Sequence, residues 1–190
     1  MELLQKIDAF FEQPASELGA EAREVATLFR TRGCPRRQIV SIERVENGEL
    51  LRRFAFHKHH LEAKYGAAVD EQLVFHGTKP GVVRFIAEQG FDMRLNGANG
   101  TRYGKGNYFA RDTSYSADDR FSPADAQGVK YMFVARILVG ETVLGHGGLR
   151  RAERPDGTLV DTAVDDEADP AIYVTFDNGQ AMPVYVIAFR

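Results

Sequence analysis

Two short stretches of this chain combine an imidazole, bare backbone, hydroxyls and an aromatic ring at spacings that suit ligand chemistry. In the first, a strand ends in His76-Gly77-Thr78. Gly77 has no Cβ, so a flat ligand can approach its N–H and C=O closely. In the second, Tyr108 sits in Gly106-Asn107-Tyr108-Phe109-Ala110, a strand-like run after the glycine-rich loop 97–106. Ser114, Ser116 and Asp118 follow as turn or helix-start residues. Together these groups suit the cradling of an aromatic amide by backbone hydrogen bonds, a hydroxyl and ring stacking. Singly, each has a plainer explanation: His76 as a satisfied core imidazole, Tyr108 as core, the glycines as turns. The residues alone leave both readings open.

Other patterns carry less. The chain has no G-x-S-x-G elbow, P-loop or HExxH. Gly104-Lys105-Gly106 does not make a dinucleotide fingerprint, because Phe109 stands where its third glycine belongs and no βαβ unit surrounds it. In His57-Lys58-His59-His60, His57 and His60 share a helix face but His59 points elsewhere. With no cysteine near, that run reads as a basic, solvated face with one histidine leaning on the helix seam, and no metal is expected.

The elements that must position these groups are helical first and then mainly strands. Leu3, Leu4, Ile7, Phe10 and Phe11 recur at helix spacing, and 18–30 carries a second stripe of Val25, Leu28 and Phe29. A strand is expected over 38–45. Asn47 is placed to cap a helix whose seam is Leu50, Phe54, Leu61 and Tyr65. Leu73-Val74-Phe75 reads as a short buried strand, and 82–89 as a one-sided helix ended by Gly90. Strands are expected over 131–139, 172–177 and 184–190, the last two joined at the tight-turn signal Asn178-Gly179. Residues 146–169 read as a polar excursion. Without regular βαβ alternation, the class is α+β with a largely antiparallel sheet.

At 190 residues, with 44% hydrophobic and 27% charged side chains, the chain has the composition of one globular domain. Its net charge of −3 creates no global attraction for nucleic acid or anionic membrane. Cys34 is alone, which excludes an internal disulfide. No apolar run approaches the length of a membrane helix, and the acidic start MELLQKIDAFFEQ does not resemble a secretory leader. A soluble, cytoplasmic domain is expected.

Taken as a block, the sequence resembles the catalytic domain of the PARP family, the diphtheria-toxin-like ADP-ribosyltransferases. The resemblance rests on FHGT (75–78), the helix ending in QGF (89–91), YGKGNYFA (103–110), SYSADD (114–119), VKYMFVARILVGE (129–141) and IYVTFDNGQAMPVYVIAF (172–189). IVSIERVENGEL (39–50) also looks like that family's first strand and helix. The likeness runs over roughly residues 20–190 and is closest to the short, mono-ADP-ribosylating branch. It implies one domain over 1–190, with N-terminal helices in 1–65 and an NAD-binding core in 71–190. The implied fold is an α+β ADP-ribosyltransferase with a mainly antiparallel, split sheet flanked by helices.

The resemblance also implies roles. His76 would hydrogen-bond a ribose hydroxyl of NAD+. Gly77 would hold the nicotinamide carboxamide through its main chain, with the Ser116 hydroxyl donating to the same amide. Tyr108 would stack on one face of the nicotinamide ring and Phe121 on the other. Thr78 falls where a hydroxyl lies near the adenosine ribose. Tyr103 and the loop 97–105 would cover the dinucleotide, with Arg94 as a phosphate partner. Polymerising members complete a His-Tyr-Glu triad with a glutamate that here falls on Ile172. An isoleucine can neither bond a ribose hydroxyl nor polarise an incoming one, so chain elongation should fail. Single pentosyl transfer survives, because neutral nicotinamide leaves a cationic pyridinium without being protonated. Asp118 and Asp119 lie in the neighbouring segment but read as helix-start residues rather than replacements. The expected activity is NAD-dependent mono-ADP-ribosyl transfer by a monomer to a protein acceptor. The alternatives are a silent NAD or ADP-ribose binding module, transfer to nucleic-acid ends, or NAD+ hydrolysis.

Overall fold

The computed structural model describes residues 19–93 and 101–190. The expected helix over Leu3–Phe11, Arg94 and much of the glycine-rich loop lie outside the described residues. The elements run α1 (Ala20–Thr31), β1 (Ile39–Arg44), α2 (Gly48–Tyr65), β2 (Glu71–Thr78), a 3-10 turn at Pro80–Val82 and α3 (Val83–Gln89). Then come β3 (Asn107–Ala110), α4 (Thr113–Ser116), β4 (Lys130–Leu138), β5 (Thr142–Leu144), β6 (Thr162–Val164), β7 (Ile172–Thr175) and β8 (Ala181–Phe189). The helix ends obey local chemistry. Asn47 Oδ1 accepts from the N–H groups of Glu49 and Leu50, both at 3.1 Å, and so starts α2. Its Nδ2 donates to the carbonyls of Ala87 and Glu88, which ties α2 to the end of α3. Gly90, at φ 79°, then lets the chain leave α3.

Among the described residues the strands form one sheet in the order β1-β8-β4-β2-β3-β7-β6-β5. All neighbours are antiparallel except β5 with β6. The α+β class is therefore observed. The split is also visible, because β2 pairs with β4 from Glu71 to Thr78 but meets β3 at a single position, Phe75 opposite Ala110. Beyond that pair the sheet opens. Phe75, Phe133, Ile137, Ile187 and Phe189 fill the larger half, and Ala163, Ile172 and Val174 fill the smaller one.

Three expectations change here. Leu73 is 45% exposed although it lies in β2: Val74 and Phe75 enter separate clusters on the two faces of the sheet, and Leu73, on the Phe75 face, stands opposite exposed Arg136 beyond the buried stretch. Asn178-Gly179 does sit in a turn, with the Gly179 N–H on Asp177 Oδ1 at 2.6 Å, but it does not close a hairpin. β7 belongs beside β3 and β6 while β8 lies between β1 and β4, so this turn carries the chain from one half-sheet to the other. Buried Gln180 holds that crossing: its Nε2 reaches the carbonyls of Leu138 and Asp161 and the Thr162 hydroxyl at 2.8–3.0 Å. Finally, the stretch 146–169 expected as a polar excursion contains β6, whose Thr162, Ala163 and Val164 are all buried. A three-residue strand is too short for alternation to reveal.

Candidate active site

The cleft forms beside the opening of the sheet. Antiparallel partners share a face, so the register Tyr108–Val174 and Ala110–Ile172 puts Tyr108 and Ile172 on one side of the β3–β7 pair. They line a cavity of about 510 Å3, within the usual size of a small-molecule site. Tyr103, Tyr115 and Phe121 complete its aromatic lining, and Arg102, Asp112, Ser114, Arg120 and Asp165 supply polar groups. The Tyr115 ring stacks on Phe121 with centroids 4.8 Å apart and planes at 22°.

Two backbone ties hold Tyr108. Its hydroxyl donates to the Gly104 carbonyl at 2.7 Å and accepts from the Tyr103 N–H at 3.0 Å, which pins the covering loop to the ring. Burial pushes this phenol above its ordinary range, so it stays protonated at neutral pH. His76 Nδ1 lies 2.8 Å from the Tyr108 carbonyl oxygen. A carbonyl only accepts, so Nδ1 carries the proton. Burial pushes the imidazole below its usual range, against the opposing pull of that bond, and Nε2 is left as a bare acceptor. Phe91, edge-on at 5.1 Å, and Phe109 at 5.7 Å fix the ring plane.

Gly77 is a steric necessity. A Cβ there would fall onto the Ser116 carbonyl oxygen and 3.1 Å from Phe121 Cβ. Ser116 itself is buried, and its hydroxyl donates to the Phe75 carbonyl at 3.1 Å. The Ser116 proton is thus already committed, while its lone pairs remain able to accept from an amide NH2. Of the residues singled out in the sequence, Tyr103, Tyr108, Phe121 and Ile172 line the cleft. Gly77 packs between its Phe121 wall and the Ser116 backbone, and His76 braces Tyr108. Thr78 is buried and is not among the lining residues. Arg94 lies outside the described residues.

The two aspartates next to this segment are not helix starters. They follow α4, and each has a cation: Asp118 accepts from Arg120 Nε at 2.8 Å, and Asp119 pairs with Lys130 Nζ at 2.7 Å. Neither lines the cleft. The acid that does stand next to position 172 is Asp165, whose Oδ1 accepts from the N–H groups of Ala171 at 2.9 Å and Ile172 at 2.8 Å. Sequence reasoning missed it, because it sits in the acidic run Asp165-Asp166-Glu167 with nothing to distinguish it. Tyr115 was also missed as a lining residue, though its place within SYSADD was a usable signal. Within the histidine run on α2, His57 Nδ1 lies 3.6 Å from Asp177 Oδ1, while His59 and His60 are exposed.

The family profile described as the poly(ADP-ribose) polymerase catalytic domain matches residues 20–155. The chain belongs to this family. This PARP domain is 39% identical over 178 residues to the human protein mono-ADP-ribosyltransferase PARP12, covering 92% of the chain and 25% of PARP12. It is 38% identical over 193 residues to mouse protein mono-ADP-ribosyltransferase PARP11, covering 90% of the chain and 57% of PARP11. Against mouse protein mono-ADP-ribosyltransferase PARP10 the identity is 38% over 156 residues, covering 80% of the chain and 16% of PARP10. The domain thus spans less than two thirds of the length of these relatives. The profile match ends before β6 and β7. The placing of Asp165 and Ile172 beside Tyr108 therefore comes from the three-dimensional arrangement of this PARP domain.

Proposed function

We propose that this domain transfers a single ADP-ribose from NAD+ to a protein acceptor and releases nicotinamide. The observation that carries this reading is Ile172, an apolar side chain in the cleft on the same sheet face as Tyr108. The names of the relatives, protein mono-ADP-ribosyltransferases, support it. In this reading the pyridinium lies between Tyr108 and Phe121, where aromatic faces stabilise a flat cation. The Gly77 main chain holds the carboxamide, with the Ser116 oxygen accepting from its NH2. His76 Nε2 accepts from a ribose hydroxyl, and the loop bearing Tyr103 closes over the dinucleotide. The C1′–N bond breaks with its electron pair going to the ring nitrogen, and the acceptor nucleophile forms the new bond to C1′. Isoleucine at 172 offers nothing to polarise the hydroxyl of an already attached ADP-ribose, so the product stops at one unit.

The test is incubation with labelled NAD+ followed by separation of products by length. Single ADP-ribose units on protein are expected, and His76→Ala or Tyr108→Ala should abolish them. Long polymers would overturn the single-transfer claim. Tight NAD+ binding without nicotinamide release would overturn the transferase claim.

A further inference from the structure

Among the described residues many arginines sit beside acids, but four that stand close together in sequence do not. Arg44, Arg53, Arg111, Arg120, Arg151 and Arg154 each have a carboxylate within ion-pair distance. Arg30, Arg32, Arg36 and Arg37 crowd the end of α1 and the loop after it. None of these four forms an ion pair among the described residues, and Arg30, Arg36 and Arg37 are exposed. Arg190 is drawn to the same place, because it and Gln38 exchange backbone hydrogen bonds at 2.8 and 3.2 Å. The carboxylate that feels Arg190, Asp125, is already taken by the N–H groups of Val129 and Gln127 and by the Tyr131 hydroxyl. In a chain of net charge −3 this is a local positive field, not a general basicity.

The same loop is fastened to the wall of the cleft. The Thr113 N–H donates to the Arg32 carbonyl at 2.8 Å, and the Thr113 hydroxyl donates to the Phe29 carbonyl at 2.9 Å. Gly33, at φ 128°, approaches so closely that a Cβ would lie 2.8 Å from Ser114 Oγ. Ser114 and its neighbour Tyr115 line the cleft. The arginines are therefore held at a fixed place beside the reaction site rather than on a remote face.

We propose that this arginine loop docks an acidic segment of the protein acceptor while a nearby acceptor residue enters the cleft. Guanidinium groups pair with carboxylates in a planar, two-point geometry. No aromatic side chain stands among residues 30–38 to stack a base, which favours an acidic peptide over a nucleic acid. The inference takes its purpose from the transferase reading, but the surface can be tested apart from it.

The experiment measures binding of a fluorescein-labelled peptide of eight glutamates by anisotropy, for the wild-type chain and for the Arg36→Glu/Arg37→Glu double variant. Nicotinamide release from NAD+ is measured in parallel. The acidic peptide should bind, weaken sharply with added salt, and lose at least tenfold in affinity in the variant, while an eight-serine peptide should not bind. Nicotinamide release should be unchanged in the variant, since neither arginine lines the cleft. Equal binding of the acidic peptide to both proteins, or no binding at all, would overturn the proposal. So would an eight-nucleotide single-stranded RNA that binds more tightly than the peptide and is lost with the same substitutions. If the variant kept the peptide but lost nicotinamide release, the arginines would serve the dinucleotide and the proposal would fall. Peptide binding with no nicotinamide release by either protein would sustain the surface and overturn the transferase reading.

Discussion

Replacing Gly77 by alanine tests whether the packing at the heart of the site is as tight as its geometry implies. The added methyl falls on the Ser116 carbonyl oxygen and within 3.1 Å of Phe121 Cβ. Neither can give way cheaply. The carbonyl is backbone at the end of α4, whose N-terminus is held by the Thr113 bonds to Arg32 and Phe29. The β2 strand is in turn fixed by unbroken pairing with β4, where Gly77 faces Met132. Overpacking a closed site costs about 1–3 kcal/mol, and direct overlap with the Ser116 backbone carbonyl puts this one at the upper end, about 3 kcal/mol. For a chain of this length that lowers the melting temperature by about 6–12 °C. The control is Gly81→Ala, where the methyl meets no atom within 4 Å. Thermal unfolding should show a large drop for the first variant and a neutral to slightly raised value for the second. Nicotinamide release by Gly77→Ala should be lost even well below its midpoint. A Gly77→Ala protein melting within about 2 °C of wild type would refute the argument, because the clash would then be worth under about 1 kcal/mol.

Three further outcomes follow from the same geometry. Tyr108→Phe keeps the ring but strands the Tyr103 N–H and Gly104 carbonyl. It should raise KM for NAD+ by about tenfold with little change in kcat, as expected for a lost contact worth about 1.4 kcal/mol; steady-state kinetics decides. Asp165→Ala frees the Ala171 and Ile172 N–H groups and should cost about 2 kcal/mol in denaturant unfolding, while Asp165→Asn, which keeps an acceptor oxygen, should stay near wild type. Glu43 is pushed up to about 7 by burial, against the Ser41 hydrogen bond. Its folded form holds the proton more tightly than the unfolded chain, so the wild type loses stability as pH rises from 4.5 toward 7. Glu43→Gln should therefore be the more stable protein at pH 8 and show no advantage at pH 4, read from unfolding curves across that range.

Much of the fold was legible because its signals are local. The Asn47 cap, the Gly90 exit, the buried stripe of α1 and the long runs that became β4 and β8 each depend on residues a few positions apart. The Asn178-Gly179 turn was legible as a turn, but its partner strands were not, since strand order is settled by burial on both halves of the sheet. The acid tied to Ile172 was invisible for a similar reason. Asp165 and Ile172 are separated by a polar loop, and only the closing of β6 onto β7 brings carboxylate and backbone N–H together.

By itself the sequence determined which groups are candidates for the chemistry: an imidazole, a bare glycine backbone, two aromatic rings and an isoleucine at the position where the family resemblance implies a glutamate in polymerising members. The tertiary structure decided how they meet. A single residue pair joins β2 to β3, and the sheet opens beside it. Antiparallel register then puts Tyr108 and Ile172 on one face of the cleft while the Tyr108 carbonyl orients His76 from behind. Such contacts join residues far apart in the chain, and no local propensity encodes them, because they exist only once distant strands have paired.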